Sequence, residues 1–129
     1  MAGALEHLRV VDITDLRGAL AGRILGDLGA DVVKVESKTG DTARYLGGVR
    51  KADMTGFFAQ FNRNKRSVVL DLKTEPAQAA LKRLAARADV LVENFRPGTM
   101  EKWGFGWEAL FALNPRLVMV RLSGFGQTG

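Results

Sequence analysis

Residues Glu93-Asn94-Phe95-Arg96-Pro97-Gly98 set an aromatic ring between an amide and a guanidinium. Such a ring can stack a purine while its polar neighbours hold a phosphate. Phe95 is equally readable as the residue that finishes a strand. Asp15-Leu16-Arg17-Gly18 precedes a helical pattern, where unbonded N–H groups and the positive end of the helix dipole favour a phosphate. The segment lacks the GxGxxG spacing, and Gly18 also suits a tight turn. Asp71 and Lys73 follow the basic, amide-rich run Asn62-Arg63-Asn64-Lys65-Arg66, whose donors suit anionic oxygens or a solvated loop. Gly124-Phe125-Gly126-Gln127-Thr128-Gly129 is a flexible glycine-rich stretch where a catalytic loop would begin.

Other chemistries are poorly served. The single histidine, His7, lies ahead of the first strand candidate, where a surface or capping role is expected. No Ser-His-Asp set or metal-ligand cluster can be assembled. With no cysteine, disulfides and thiolate chemistry are excluded within these residues, in keeping with a reducing, cytoplasmic setting.

The elements that must position these groups alternate. Runs rich in Val, Leu and Ile at 8–14, 32–36, 67–72, 90–95 and 117–123 predict strands. They are nearly continuous rather than alternating in hydrophobicity, the pattern of a parallel sheet covered on both faces. A helix is predicted over 17–28, with Leu20, Ile24, Leu25 and Leu28 on one face and Gly29 as its stop. In a second, Thr74 is the expected N-cap, Glu75 and Pro76 suit the first turn, and Ala80, Leu81, Leu84, Ala85 and Ala88 line one side. A third is predicted over 107–113, stopped by Asn114-Pro115. The alternation predicts an α/β fold, an open, doubly wound, right-handed parallel sheet with flanking helices. Ligands of such sheets bind beyond the carboxyl ends of the strands, where the segments above lie. The stretch 37–66 fits least well and reads as a functional loop, a lid or a disordered stretch, with Phe57, Phe58 and Phe61 able to form one or two helical turns.

Composition agrees with a folded domain: 129 residues, 47% hydrophobic and 26% charged. No run approaches the ~18 apolar residues of a membrane span. Lys and Arg number 19 against 14 Asp and Glu, a net charge of +5. A polyanionic partner would suit that charge, as would a larger protein that balances it. A nucleic-acid-binding module rests on charge alone, with no recognised motif beside it.

Taken together, VVDITDLRGALAGRILGDLGADVVKVE, FNRNKRSVVLDLKT and ADVLVENFRPGTMEKWGFGWEALFALNPRLVMVRLSGFGQTG resemble the start of the family III CoA-transferases over almost the whole chain. That family includes formyl-CoA, carnitine and bile-acid CoA-transferases, and the α-methylacyl-CoA racemases share its fold. The resemblance implies a Rossmann-like, CoA-binding amino-terminal domain over 1–129 of a longer cytoplasmic enzyme. Its substrates are an acyl-CoA donor and a carboxylic acid, with coenzyme A as substrate rather than prosthetic group. It also implies an interlocked homodimer, and neither a nucleic acid nor a membrane as partner. In such enzymes an aspartate attacks the thioester and forms a mixed anhydride; its place lies beyond Gly129, as does the histidine and aspartate pair of the racemase, the alternative chemistry. A non-catalytic CoA-binding fragment is the other alternative. The CoA-binding positions that carry over are Leu16, Arg17, Gly18, Ser37, Lys38, Leu72, Lys73, Asn94, Phe95 and Lys102. Two depart from the family pattern: Arg17-Gly18-Ala19 stands where Ala-Gly-Pro is common, and Ser37, followed by Lys38, stands where a basic residue is frequent.

Overall fold

Valine-rich runs form the centre of the fold because both of their faces can be buried. The structure is a computed structural model that describes residues 2–48, 50–52 and 54–129. Among these, β1 (Arg9–Asp12), β2 (Asp31–Glu36), β5 (Lys65–Val69), β6 (Val90–Glu93) and β7 (Val118–Arg121) make one parallel sheet in the order β5-β2-β1-β6-β7. Neighbouring residues of one strand serve opposite layers. Val11 joins Ile13, Val35 and Leu91 against Leu81 and Ala85 of α3 (Glu75–Arg87) and Leu110 of α5 (Trp107–Leu113). Val10 joins Val32 and Val92 against Ala21 and Leu25 of α1 (Ala19–Asp27). Helices therefore cover both faces, as the continuous apolar runs predict.

β1 and β6 end earlier than their hydrophobicity suggests, because side chains capture the backbone. The Thr14 N–H and hydroxyl both donate to Asp12 Oδ1, at 2.9 and 2.6 Å, which turns the chain after β1. The Phe95 N–H donates to Glu93 Oε2 at 2.8 Å and closes β6 in the same way. β5 begins at Lys65, two residues before the predicted start, with Lys65 opposite Val32 and Arg66 opposite Val33.

The stretch 37–66 is more ordered than its composition suggests. It holds a 3-10 turn (Thr42–Tyr45), a small antiparallel ribbon of β3 (Arg50–Lys51) and β4 (Met54–Thr55), and α2 (Gly56–Asn62), which contains the three clustered phenylalanines. Val49 and Asp53, within this stretch, lie outside the described residues.

Of the predicted face of α1, only Leu25 packs towards the sheet. Leu20, Ile24 and Leu28 are exposed, whereas Ala19, Gly22 and Gly26 are buried. A Cβ at Gly22 would collide with Asp12 Oδ2, so the helix lies too close to the sheet for a larger residue. Gly29 ends the helix at φ +104 as expected. On α3, Leu81, Ala85 and Ala88 are buried, Leu84 and Ala80 are half-buried, and Ala77 joins them. Thr74 holds the N-cap position without capping, since its hydroxyl donates to the Asp71 carbonyl at 2.8 Å. The Asn114 amide that stops α5 donates to the carbonyls of Ala85 and Ala88, capping the end of α3. A short α4 (Thr99–Lys102), not expected from the sequence, precedes α5. His7 lies exposed in the turn before β1.

Candidate functional site

The sheet order reverses at β1, and a cavity of about 470 Å³ opens beyond the carboxyl ends of β1, β2, β5 and β6. This is the crevice where open parallel sheets bind ligands.

The turn after β1 is tied to the turn after β6. Asn94 Nδ2 donates to Asp15 Oδ1 at 2.6 Å, and the Asp15 N–H donates back to Asn94 Oδ1 at 3.1 Å. Arg17 grips the same carboxylate through Nε and Nη2, the latter at 2.7 Å. Burial pushes the Asp15 carboxyl up, but the bonds from Arg17 and Asn94 outweigh it and hold it below the usual carboxylate range. Gly18 is a packing requirement, because a Cβ there would stand 2.8 Å from Thr14 Cβ and 3.2 Å from Asn94 Nδ2.

The wall after β2 rests on Glu36. Its carboxylate accepts from the Asp41 N–H at 2.8 Å, from Arg44 Nε and Nη2 at 2.7 Å each, and from the Ser67 hydroxyl. Burial raises the Glu36 carboxyl, but these donors prevail and bring it to about 2. The aromatic wall follows β6, where the Phe95 and Trp103 rings meet edge-to-face. Behind it Glu93 accepts from Arg121 Nε at 2.7 Å, and Arg121 reaches on to Glu101. A smaller space of about 300 Å³ shares Arg17, Asn94, Phe95 and Arg96 with this cavity and extends to Ser123 and Gly124 at the start of the glycine-rich stretch.

Among the predicted site residues, Arg17, Ser37, Leu72, Lys73, Asn94 and Phe95 line the main cavity together. Leu16 and Gly18 support it from the adjoining turn, off its surface. Lys38 is exposed nearby and pairs with Asp71 at 3.2 Å, and Lys102 is exposed on α4, outside the lining.

The basic run 62–66 does not reach the cavity. It spans the turn before β5 and the first two residues of that strand, at its amino-terminal end, and its cations are taken by acids: Arg63 by Asp27, Arg66 by Asp31, and Lys65, reaching along the sheet, by Asp12 at the end of β1. Lys65, almost wholly buried, also donates to the Ala19 carbonyl and Asn62 Oδ1. The acids lining the cavity are likewise paired, Asp15 with Arg17, Glu36 with Arg44, Asp41 with Lys34 and Asp71 with Lys38. Lys73 and Arg96 on its rim form no ion pair among the described residues. The rim therefore offers cations that acids do not already occupy. No group of three potential metal ligands occurs among the described residues.

The model of CoA-transferase family III matches residues 5–129. The chain belongs to this family. It is 48% identical over 127 residues to the succinyl-CoA–D-citramalate CoA-transferase of Chloroflexus aurantiacus, covering 97% of this chain and 32% of that protein. With the formyl-CoA:oxalate CoA-transferase of Streptomyces avermitilis it shares 44% identity over 98% of this chain and 31% of that one. The crystal structure of a CAIB/BAIF family protein from Brucella suis superposes with a TM-score of 0.94 at 38% identity, over all of this chain and 35% of that one. This family III chain thus spans about a third of the length of the relatives it matches.

Several cavity residues escaped the sequence reading. Asp41 and Thr42 lie in the stretch that reads as an irregular loop, and Trp103 lies beyond a short helix that carries no periodic signal. The usable signal for Trp103 was its place a few residues after Phe95, within reach of the same strand end.

Proposed function

We propose that this chain is the CoA-binding domain, residues 1–129, of an enzyme that moves CoA from an acyl-CoA donor to a carboxylic acid. The overall exchange converts a thioester and a carboxylate into a new thioester and a new carboxylate. It is redox-neutral and balanced without a prosthetic group, so the cofactor is also the cargo.

One observation carries the reading. At the switch point of the sheet, the Phe95 ring, the Asn94 amide and the unpaired cations Lys73 and Arg96 share one cavity. A nucleotide end of CoA asks for that set, a flat apolar surface for the base and cations for the phosphates. Arg17, Ser37 and Leu72 complete the proposed contacts on the cavity, with Leu16 and Gly18 shaping the turn and Lys38 and Lys102 contributing charge from outside it.

A homodimer belongs to the same reading. Exposed Leu20, Ile24 and Leu28 on α1, and Trp107 and Phe111 on α5, form apolar surface suited to cover by further protein. A cytoplasmic setting is supported by the absence of cysteine and by described helices that are all too short or too polar to cross a membrane.

Isothermal titration of CoA into the purified chain tests the proposal. Saturable binding that weakens as salt rises is expected, because phosphate contacts are screened. A folded chain that takes up no CoA at low salt would overturn it.

A further inference from the structure

The sheet face beneath α1 is apolar at Val10, Val32 and Val92 but turns polar towards the carboxyl ends of the strands, where buried Lys34 lies opposite buried Asp12. The Lys34 side chain is 1% exposed. A buried ion pair contributes little net stability, and a well-packed apolar residue would serve the core as well or better. The place of Lys34 is better explained by what its ammonium joins.

Lys34 Nζ donates to the Thr14 carbonyl at 3.0 Å and lies 2.7 Å from Asp41 Oδ2. The second contact is one of charge more than of aligned hydrogen bonding. Thr14 and Asp41 stand on different walls of the main cavity, in the turn after β1 and the loop after β2. No backbone hydrogen bond joins 13–18 to 37–46 among the described residues. Asp41 in turn caps the 3-10 turn by accepting from the Ala43 N–H at 2.8 Å, and its own N–H donates to Glu36. One ammonium thus fixes the reach of a whole wall.

We propose that Lys34 is a positioning residue, a buried strut that sets the separation of the Thr14 turn and the Asp41 loop and so the width of the cavity between them. The link to CoA rests on the proposed function above; the link to loop order does not. Lys34 touches no ligand in this arrangement. It acts through Thr14 and Asp41.

The test compares the parent chain with Lys34→Met and with the double variant Lys34→Met/Asp41→Asn. The single change strands the buried Asp41 carboxylate and lowers the melting temperature. The double change removes both charges, keeps an acceptor for the Ala43 N–H, and recovers most of that loss. Amide hydrogen exchange then reads the loops. We expect the amides of Asp15, Ala43 and Arg44 in the double variant to exchange about tenfold faster or more, while those of the sheet, Val10 and Val33, stay at the parent rate. CoA binding weakens in parallel by about tenfold, equivalent to about 1.4 kcal/mol. Parent-like loop exchange in the double variant overturns the proposal, and so does acceleration spread evenly over loops and sheet. A parent chain that binds no CoA removes the cavity's reading as a CoA site, while the exchange data still decide the role of Lys34.

Discussion

The rings of Phe95 and Trp103 meet edge-to-face, with centroids 5.2 Å apart and planes inclined at 74°. This contact and the apolar core beneath it steady the Phe95 ring, while its backbone is held by the buried Glu93 carboxylate. A ring fixed this way is a ready stacking surface. Phe95→Ala is expected to weaken CoA binding by about 1–3 kcal/mol, the range for loss of one base–aromatic stack. Titration calorimetry reads the change, and unchanged affinity in a folded variant removes Phe95 from the site.

Asn94 and Asp15 exchange two hydrogen bonds across the crevice between β1 and β6. Asn94→Asp places a second carboxylate against Asp15 and deletes the donor that holds it. The two turns are expected to move apart, with CoA affinity falling at neutral pH. Because protonation of one carboxyl relieves the repulsion, affinity should recover in part as the solution is acidified. Calorimetry at several pH values checks this, and a pH-independent loss would contradict it.

Glu36 ties pH to stability. Its carboxyl lies at about 2 in the folded chain against an ordinary value of 4.5. A depressed carboxyl contributes stability that is fully present above the unfolded value and is lost as pH falls towards the folded one. Solvent screening keeps the contribution below the roughly 3 kcal/mol that the full shift would give at neutral pH. Denaturant titrations should therefore show stability declining from about pH 5 to pH 2. Glu36→Gln should be less stable at neutral pH and flatter across this window. A variant with the parent's pH slope would exclude Glu36 as its source.

The close approach of α1 to the sheet gives a contrast between two substitutions. Gly22→Ala drives a methyl group into the Asp12 carboxylate beside Lys65 and is expected to cost about 1–3 kcal/mol. Leu20→Ala on the exposed face should stay within about 0.5 kcal/mol in this chain. Chemical denaturation of both variants tests directly which face of α1 lies inward. The opposite ranking would place the leucine stripe inside.

That face also marks the limit of what the residues alone reveal. The parallel sheet covered on both faces was legible because Val10-Val11, Val32-Val33 and Leu91-Val92 are apolar on successive positions, whereas the strand order emerges only in the fold. The inward face of α1 was not, because hydrophobicity points to Leu20, Ile24 and Leu28, while closeness to Asp12 demands Gly22. The same long-range pairing hid the role of 62–66. Lys65 and Arg63 read as free donors until folding brings Asp12 and Asp27 to them across 53 and 36 residues of sequence. Positions flanking the strand ends proved easier, since Arg17, Lys73 and Asn94 need only follow a strand to reach the crevice, while Ser37 came from the family resemblance. The Gly40-Asp41-Thr42 wall depends on Glu36 and Lys34 beneath it, contacts that no spacing rule reveals.

On the function proposed above, CoA occupies the crevice at the carboxyl ends of the strands. Two-dimensional amide NMR of the labelled chain, recorded as CoA is added, tests it most directly. Shifts are expected to concentrate at Asp15, Arg17, Ser37, Lys73, Asn94 and Phe95. Shifts centred instead on Arg63, Asn64 and Arg66, at the opposite end of the sheet, would contradict it.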